Sequence, residues 1–260
     1  MSALDTLPLE ILFRVFDFIA SPHGSISSKF HPLNSLAAAS KHFDSAGEEY
    51  TRALLKRHAN FEPRKRSKKY TSRKKWLAET CQLCYKKSKR RSTLWGYLTC
   101  CLACDKKHFP KVTMTNAINQ YSLSKLDIFT PNDLHPALPS LAHGEYPVMG
   151  AVAIMIYEPD LASRRDDIHS QLRSVDMTEE QLRKRVRRHN KLIAHMEVTY
   201  DPVSKFWYRA SKSQKNGQKP AKGSMQTAES RDKFVRIGLA DERAAMHTQG
   251  ASEETPIELN

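Results

Sequence analysis

The 260-residue sequence predicts an α+β protein with three parts: an N-terminal unit of three helices, a small cysteine-organised module, and a small mixed α/β C-terminal region with a disordered tail. Three observations predict this class. An almost wholly apolar helical pattern begins the chain, paired cysteines stand before its middle, and short helix and strand patterns separated by prolines follow. No apolar run approaches the roughly 18 residues of a membrane span, and no secretory signal is visible, so neither setting is expected.

The positive charge of the chain is concentrated in one segment. The formal net charge is +14 at pH 7, yet residues 1–62 sum to −1 and residues 113–260 sum to +1. Residues 63–112 therefore carry a net charge of +14 by themselves. This distribution excludes a uniformly basic protein.

The first helix is predicted over residues 7–20, with Thr6 before it and Pro8 in its first turn. Apart from one narrow stripe of charged residues, the helix is apolar; the stripe consists of Glu10, Arg14 and Asp17. A helix that is apolar nearly all round must be covered on more than one side. Either the rest of this chain or a partner protein is expected to cover it.

Two further short helices are predicted before residue 60. The apolar face of one includes Leu33, Leu36 and Phe43, and the other begins at a capping box of Ser45 and Glu48. Three short helices in about 60 residues make a small core that is marginal in isolation.

A three-part pattern spans residues 4–50. It reads Leu7-Pro8-x-Glu10-Ile11-Leu12, then Phe16-x-Phe18-Ile19, then Leu33-x-x-Leu36-Ala37-x-Ala39-Ser40-Lys41-x-Phe43. This pattern resembles the F-box motif, although residues 21–32 are longer than the usual link between its first two helices. In that family the unit binds a Skp-type adaptor, which connects it to a cullin scaffold and to ubiquitin transfer. The resemblance implies an adaptor-facing surface formed by Leu7, Pro8, Ile11, Leu12, Phe16, Ile19 and Leu36.

Paired cysteines predict a metal site. The pairs are Cys81-x2-Cys84 and Cys101-x2-Cys104, and sixteen residues separate them. This is the spacing of two knuckles that together hold one zinc ion through four thiolates. Four protein ligands leave no open position, so the ion is expected to be structural. Cys100 could replace Cys101, which would make the second spacing C-x3-C, and His108 is close enough to be a substitute ligand. Residues 86–99 are expected to form a hairpin like that of a zinc ribbon.

Basic clusters flank and enter the cysteine module. The first consist of Arg64, Lys65, Arg66, Lys68, Lys69, Arg73, Lys74 and Lys75, and a second group occupies residues 86–91. Three interpretations remain open: a solvated linker and loop tip, a nuclear-import signal, or a surface that contacts phosphates. Tyr70, Trp76, Trp95 and Tyr97 are available for base stacking or for the core. Any nucleic-acid binding is expected to be non-specific, because no base-reading helix is visible.

The segment after the last cysteine carries a second resemblance. Its pattern is Val112-Thr113-x-Thr115-x-Ala117, a spacer, then Tyr121-x-Leu123-x3-Asp127-Ile128, with Thr115 or Asn116 as a helix cap. It is similar to the segment that follows the zinc module in the xeroderma pigmentosum group A DNA-repair family. A four-cysteine site followed by this segment also resembles the layout of a group of fungal F-box proteins.

The remaining residues predict short elements. Residues 148–157 suit an internal strand or a buried helix, and Thr178 with Gln181 caps a helix whose face includes Val186. Residues 197–200 and 205–209 predict a hairpin. Residues 211–230 predict a disordered linker, residues 234–239 one more strand, and the tail beyond residue 246 is expected to be loose.

The sequence thus predicts five segments: a helical domain at 4–60, a basic linker at 61–80, a zinc module with its following segment at 81–128, a mixed region at 129–210, and a linker with a tail at 211–260. No catalytic motif is present, and Asp166-Asp167-x-His169 is expected to be a solvated helix start. The leading hypothesis is a non-catalytic substrate receptor of a Skp–cullin–F-box ubiquitin ligase, nuclear or cytoplasmic, that holds an unknown target protein. The alternative is a zinc protein associated with nucleic acid.

Overall fold

A computed structural model describes residues 7–19, 30–61, 71–172, 178–209 and 223–247. These residues form ten α-helices and five β-strands, which confirms the predicted mixture of helices and small sheets. The chain divides into two compact units, residues 1–110 and residues 111–260. The segment 111–128 therefore belongs to the second unit and not to the cysteine module. Within the described ranges, no helix is long and apolar enough to cross a membrane.

The N-terminal unit contains five helices: α1 (Leu9–Ile19), α2 (Pro32–Ala39), α3 (Lys41–Ala59), α4 (Ser72–Glu79) and α5 (Leu102–His108). The predicted capping box at Ser45 is wrong, because Ser45 lies inside α3. The cap is Ser40, which has an extended backbone and accepts the Phe43 N–H at 3.2 Å. A serine oxygen in this position satisfies one of the free N–H groups at a helix start. The break between helices at Ser40 places Leu36 in α2 and Phe43 in α3, so these residues do not share one helix as predicted.

The core of this unit lies between α1, α2, α3 and α4. Leu12 and Phe16 of α1 are each only 1% exposed, and the Phe16 ring meets the edge of Tyr50 at 5.5 Å. The Tyr50 hydroxyl donates to Asp17 Oδ1 at 2.6 Å, which ties α3 to α1. The core consists of Leu12, Phe16, Leu33, Phe43, Ala46, Tyr50, Leu54, Leu55, Trp76 and Leu77.

Helix α4 falls within the predicted basic linker, so residues 72–79 are not linker. Glu48 of α3 accepts the Ser72 N–H at 2.7 Å, and the Thr71 side chain accepts the Lys74 N–H at 3.2 Å. These bonds fix the start of α4, and burial of Trp76 fixes its inner face. The Trp76 indole is therefore part of the core and is not available to a nucleic-acid base.

A three-stranded antiparallel sheet organises the C-terminal unit, with β3 (Ala151–Tyr157) between β1 (Lys111–Thr113) and β2 (His143–Val148). The segment left open as strand or helix is thus a strand. Helices α6 (Met114–Tyr121), α7 (Lys125–Ile128) and α8 (Glu158–Gln171) belong to the same unit. Helix α6 is capped by Thr113, which accepts the Asn116 N–H, and not by the predicted Thr115 or Asn116. Asp166 and His169 lie well inside α8, not at its start.

Helix α9 (Glu179–Met196) begins at the predicted capping box, with Thr178 and Gln181 exchanging both bonds. The predicted hairpin is also confirmed as β4 (Val198–Asp201) paired with β5 (Phe206–Arg209). The Trp207 indole N–H donates to the Phe129 carbonyl at 2.8 Å, which attaches the hairpin to the chain after α7.

The strand predicted at residues 234–239 is wrong, because these residues lie within α10 (Ala228–His247). Buried or half-buried residues recur there at a helical spacing, namely Val235, Leu239, Glu242 and Met246. Gly238 allows α10 to approach α9 closely, since a Cβ there would lie 2.6 Å from Leu192 Cδ2. Residues 223–247 are thus packed structure, whereas the predicted linker and tail at 210–222 and 248–260 lie outside the described residues.

A buried charged network crosses the core of the C-terminal unit. Arg185 of α9 donates to both carboxylate oxygens of Asp127 at 2.8 and 2.9 Å, and its Nε donates to Glu242 of α10 at 3.0 Å. His135 Nε2 lies 3.0 Å from Asp127, and His189 lies 2.6 Å from the Ser124 hydroxyl and 3.0 Å from Glu242. We call these residues the Arg185 network. It joins α7, α9 and α10 through charges that have little contact with water.

The Glu242 carboxylate of the Arg185 network should contribute stability to the C-terminal unit that is lost only at low pH. Burial raises the pKa of Glu242, but His189 and Arg185 together outweigh this effect. The pKa is therefore lowered to about 2 from an ordinary value of 4.5. Because the folded pKa lies below the unfolded one, the contribution to stability is complete above about pH 4.5 and disappears as the pH falls through about 2. Urea titrations followed by amide NMR signals of α9 and α10 should show this decline. Glu242→Gln should flatten it, and an unchanged slope in that variant would refute the assignment.

Candidate metal centre and apolar helix face

Four cysteines of the N-terminal unit form one cluster. The sulfur atoms of Cys81, Cys84, Cys101 and Cys104 all lie within 4.8 Å of one another. Cys84 Sγ and Cys101 Sγ are 3.7 Å apart, far beyond the ~2.05 Å of a disulfide. A tetrahedron with metal–sulfur bonds of about 2.3 Å has edges of about 3.8 Å, so the donor set fits a tetrahedral thiolate site.

The first knuckle is shaped by backbone hydrogen bonds. The Cys81 N–H donates to the Lys86 carbonyl at 2.9 Å, and the Tyr85 N–H donates to the Cys81 carbonyl at 2.9 Å. Tyr85 has a left-handed backbone, with φ of 60°, which returns the chain toward Cys81. This turn brings the side chains of Cys81 and Cys84 to the same side.

The second knuckle opens helix α5. Cys101 is the N-cap residue of α5, and Cys104 lies within its first turn. The Asp105 N–H donates to the Cys101 carbonyl at 2.9 Å, and the buried Asp105 carboxylate accepts from Arg90 at 2.9 Å and from Ser92 at 3.0 Å. Asp105, the residue after Cys104, thus holds α5 to the segment around Arg90 and Ser92.

The surroundings of Cys81 favour its thiolate form. Burial raises the pKa of Cys81, but the N–H groups of Cys101, Cys84 and Leu83 direct their hydrogen bonds at its sulfur and bring the pKa to about 7. Burial raises the pKa of Cys84 and of Cys104. Four thiolates this close together repel one another, and a bound cation would remove that repulsion.

Cys100 and His108, the two alternative ligands, do not belong to the cluster. Cys100 is buried, but its sulfur lies outside the group and approaches the Cys101 carbonyl at 3.5 Å. Burial, together with the nearby Cys81 and Asp105, raises the pKa of Cys100 to about 12, so it stays a thiol. His108 is also outside the group. Among the described residues, the cluster is therefore the set predicted from the paired C-x2-C spacing.

The predicted ribbon hairpin at residues 86–99 is absent from the described chain. Pairing there is limited to the isolated bridges Thr80–Lys87 and Arg91–Thr99. Trp95 instead packs edge to face on Phe109 at 4.5 Å, and Leu98 is buried. The module thus has little regular structure of its own beyond α5.

The basic clusters are only partly described. Arg64, Lys65, Arg66, Lys68 and Lys69 lie outside the described residues. Arg73 of α4 donates to Asp44 at 2.8 Å, and Lys75 pairs with Glu79 at 3.0 Å and lies over the Phe61 ring. Lys74 is exposed. Three basic residues of α4 were predicted as candidates to contact phosphates. Two of them, Arg73 and Lys75, therefore already pair with carboxylates of this chain.

Of the seven residues predicted for the adaptor surface, Pro8 and Ile11 are exposed, and Val15 and Phe18, which were not predicted, are exposed on the same side of α1. Pro8, Ile11, Val15 and Phe18 follow the spacing i, i+3, i+7, i+10 and are exposed, Phe18 at 82% and Ile11 at 43%. We call these four residues the apolar α1 face.

Leu12 and Phe16 require a correction, because they are buried in the core of this chain and do not belong to an exposed surface. The three other predicted residues, Leu7, Ile19 and Leu36, are partly buried and pack against that core. Apart from its exposed charged stripe, α1 thus has one apolar side in the core of this chain and a second apolar side open to solvent.

The segment similar to the DNA-repair family is internal to the C-terminal unit. Ala117, Leu123 and Ile128 are buried, and Asp127 belongs to the Arg185 network. Thr113 is a helix cap. Packing, capping and ion pairing thus account for the residues that carry this similarity.

The sequence prediction missed the Arg185 network. Arg185 and His189 lie on the same face of α9 as Leu182, Val186 and Leu192, at the spacing of one buried helical stripe. A charged residue at a position of the apolar stripe can be recognised from the sequence, and it indicates a buried charge that needs a partner. Its partners Asp127 and Glu242 are 58 and 57 residues away, and nothing in the sequence connects them.

Comparison of the chain with protein-family models, with curated proteins and with solved structures finds no significant match.

Proposed function

We propose that this protein is a non-catalytic substrate receptor that binds a Skp-type adaptor through α1 and thereby connects a target protein to a cullin scaffold for ubiquitin transfer. The apolar α1 face carries the proposal. Four apolar side chains on one side of the chain at α1 are open to water, while the neighbouring side of the same helix packs Leu12 and Phe16 into the core. Exposed apolar groups arranged in this way are typical of protein–protein interfaces.

The proposal agrees with the order of the F-box pattern. The helix that bears the face is short and is held by α3 through Tyr50 and Asp17, so the face is displayed on a fixed support. We also propose that the four-cysteine cluster holds one structural zinc ion, because four thiolates are the donor set that zinc prefers in closed sites. The metal would stabilise the module and take no part in a reaction.

The nucleic-acid alternative has less support among the described residues. Trp76 and Trp95 are buried, and the residues similar to the DNA-repair family are internal. Arg73 and Lys75 are paired with carboxylates. A receptor for a protein target is therefore the function that the described residues favour.

Substitution on the apolar α1 face should abolish adaptor binding. Ile11→Asp with Phe18→Asp should weaken the complex with a Skp-type adaptor by at least about 30-fold, which corresponds to the ~2 kcal/mol or more of central apolar anchors. Co-expression with the adaptor and size-exclusion chromatography measure the complex, and titration calorimetry measures its affinity. The fold should survive, because both side chains are exposed.

The matched control is Val203→Asp with Phe206→Asp, which introduces the same two charges at exposed apolar residues of the β4–β5 hairpin. It should leave adaptor binding unchanged. A wild-type chain that forms no complex, or a complex that tolerates the double substitution on α1, would refute the proposed function.

A further inference from the structure

A basic groove of about 570 Å³ lies in the N-terminal unit, between α2, α4 and the cysteine module. Among the described residues, its lining includes three cationic and three aromatic side chains and no acidic one: Arg73, Lys74, Arg91, Phe30, His31 and Tyr97. We call this concavity the basic groove. It is separate from the apolar α1 face, and none of the four cysteines of the cluster lines it.

Arg91 supplies a fixed and uncompensated positive charge. Its Nη1 donates to the Leu77 carbonyl at 3.2 Å, the Tyr97 carbonyl at 3.1 Å and the Thr99 hydroxyl at 2.8 Å. All three acceptors are neutral, and no carboxylate of the described chain forms an ion pair with Arg91. The guanidinium is therefore held in one position by neutral atoms while its charge remains available to a ligand.

Lys74 adds a second available charge. It is exposed on α4, and the described residues offer it no carboxylate partner. Arg73 differs, since Asp44 and Glu48 lie 2.8 and 3.7 Å from its Nη1. The attraction for an anion thus comes chiefly from Arg91 and Lys74.

His31 supplies a neutral donor. Its Nδ1 accepts the Leu33 N–H at 3.2 Å and so caps α2. Burial and the charge of Arg91 lower the pKa of His31 to about 4. At neutral pH the ring is therefore uncharged with its hydrogen on Nε2, for which no acceptor is found in the described chain. Tyr97 meets the edge of this ring at 6.3 Å and forms an aromatic wall.

We infer that the basic groove binds an anionic segment of a target protein, in which one or two carboxylate or phosphorylated side chains meet Arg91, Lys74 and His31. The inference rests on the proposed receptor function and adds the chemical class of the target. A peptide fits the groove better than a nucleic acid does, because the cations converge on one concavity and do not follow a strand. Trp76 and Trp95 are buried, so Phe30 and Tyr97 are the aromatic side chains that the described groove offers to a ligand.

Fluorescence anisotropy on the full, zinc-loaded chain tests the inference. The probes are a short labelled peptide of alternating Glu and Ala, the same peptide with one phosphoserine in place of a Glu, and the same peptide with Gln in place of every Glu. Both anionic peptides should bind, and the neutral one should not. The tighter of the two anionic probes identifies the carboxylate or the phosphate as the preferred anion.

Lys74→Glu should weaken binding of the anionic peptides by at least about tenfold, because an attractive charge becomes repulsive. The matched control is Lys89→Glu, which makes the same charge change at an exposed lysine outside the groove. It should change the affinity by less than about twofold. Neither variant removes a hydrogen bond of the described structure, so both chains should fold and should keep the adaptor complex.

Four results would overturn the inference. They are no binding of either anionic peptide, equal binding of the neutral peptide, equal losses in the two lysine variants, and tighter binding of a single-stranded oligonucleotide that Lys74→Glu abolishes. The last result would assign the groove to nucleic acid. A chain that binds the Glu peptide but no adaptor would refute the receptor function alone and leave the groove as a peptide site.

Discussion

Cys104→Ser should release the metal and unfold the cysteine module. The substitution removes one of the four sulfurs of the cluster, and a structural site contributes its binding energy directly to folding, on the order of 10 kcal/mol or more. Regular secondary structure contributes little to the module, because its strand pairing is limited to isolated bridges and its one helix, α5, is short. Elemental analysis should find one zinc per wild-type chain and none in the variant. Hydrogen exchange should show lost protection over residues 80–109.

The matched control is Cys100→Ser, the same substitution at a buried cysteine outside the cluster. It should keep the full metal content and cost only about 1 kcal/mol, as ordinary buried substitutions do. A strong chelator should reproduce the effect of Cys104→Ser on the wild-type chain. A wild-type chain that is fully folded without metal, or a variant at Cys104 that keeps it, would refute the zinc site.

Asp127→Asn should destabilise the C-terminal unit by about 3–5 kcal/mol, the cost of breaking a buried ion pair from one side. Both carboxylate oxygens of Asp127 accept from Arg185, and both groups are almost fully buried. The amide would leave the Arg185 guanidinium with Glu242 as its carboxylate partner in the network. Burial raises the pKa of Asp127, but Arg185 and His135 lower it well below its usual value, so the charged form is the one that the fold requires.

Asp166→Asn is the matched control for that substitution. Asp166 also accepts two bonds from one arginine, at 2.9 and 2.7 Å from Arg165, but Asp166 is exposed and Arg165 is only half-buried. An exposed pair contributes at most about 1 kcal/mol, because water screens it. Urea unfolding followed by the amide signals of α7 and α9 measures both variants. Equal losses in the two would show that burial does not set the strength of the Asp127 pair.

The cysteine cluster was predictable from the sequence because its chemistry is local. The two C-x2-C pairs fix which sulfurs can point at one ion, and the structure selects the same four atoms. The capping box of α9 and the hairpin at residues 198–209 were predictable for the same reason, since caps and tight hairpins depend on neighbours a few residues apart.

Helix α10 shows where local patterns fail. Residues 234–239 contain Phe, Val and Ile, which favour a strand, but they lie within α10, whose buried side packs on α9 with Gly238 against Leu192. The start of α3 at Ser40 is a similar case, because Ser45 and Glu48 satisfy the capping-box pattern in sequence but lie inside a longer helix.

The sequence by itself determined the mixed fold class, the two C-x2-C pairs of the cluster, the largely apolar character of α1 and the concentration of net positive charge in residues 63–112. All of these depend on residue type and short spacing. The tertiary structure alone decided that Phe18 faces solvent while Phe16 is packed, that Arg185 joins Asp127 and Glu242, and that Arg91 and Lys74 share a groove. Those assignments depend on which distant segments meet, because burial and charge pairing are properties of contacts between residues far apart in the chain.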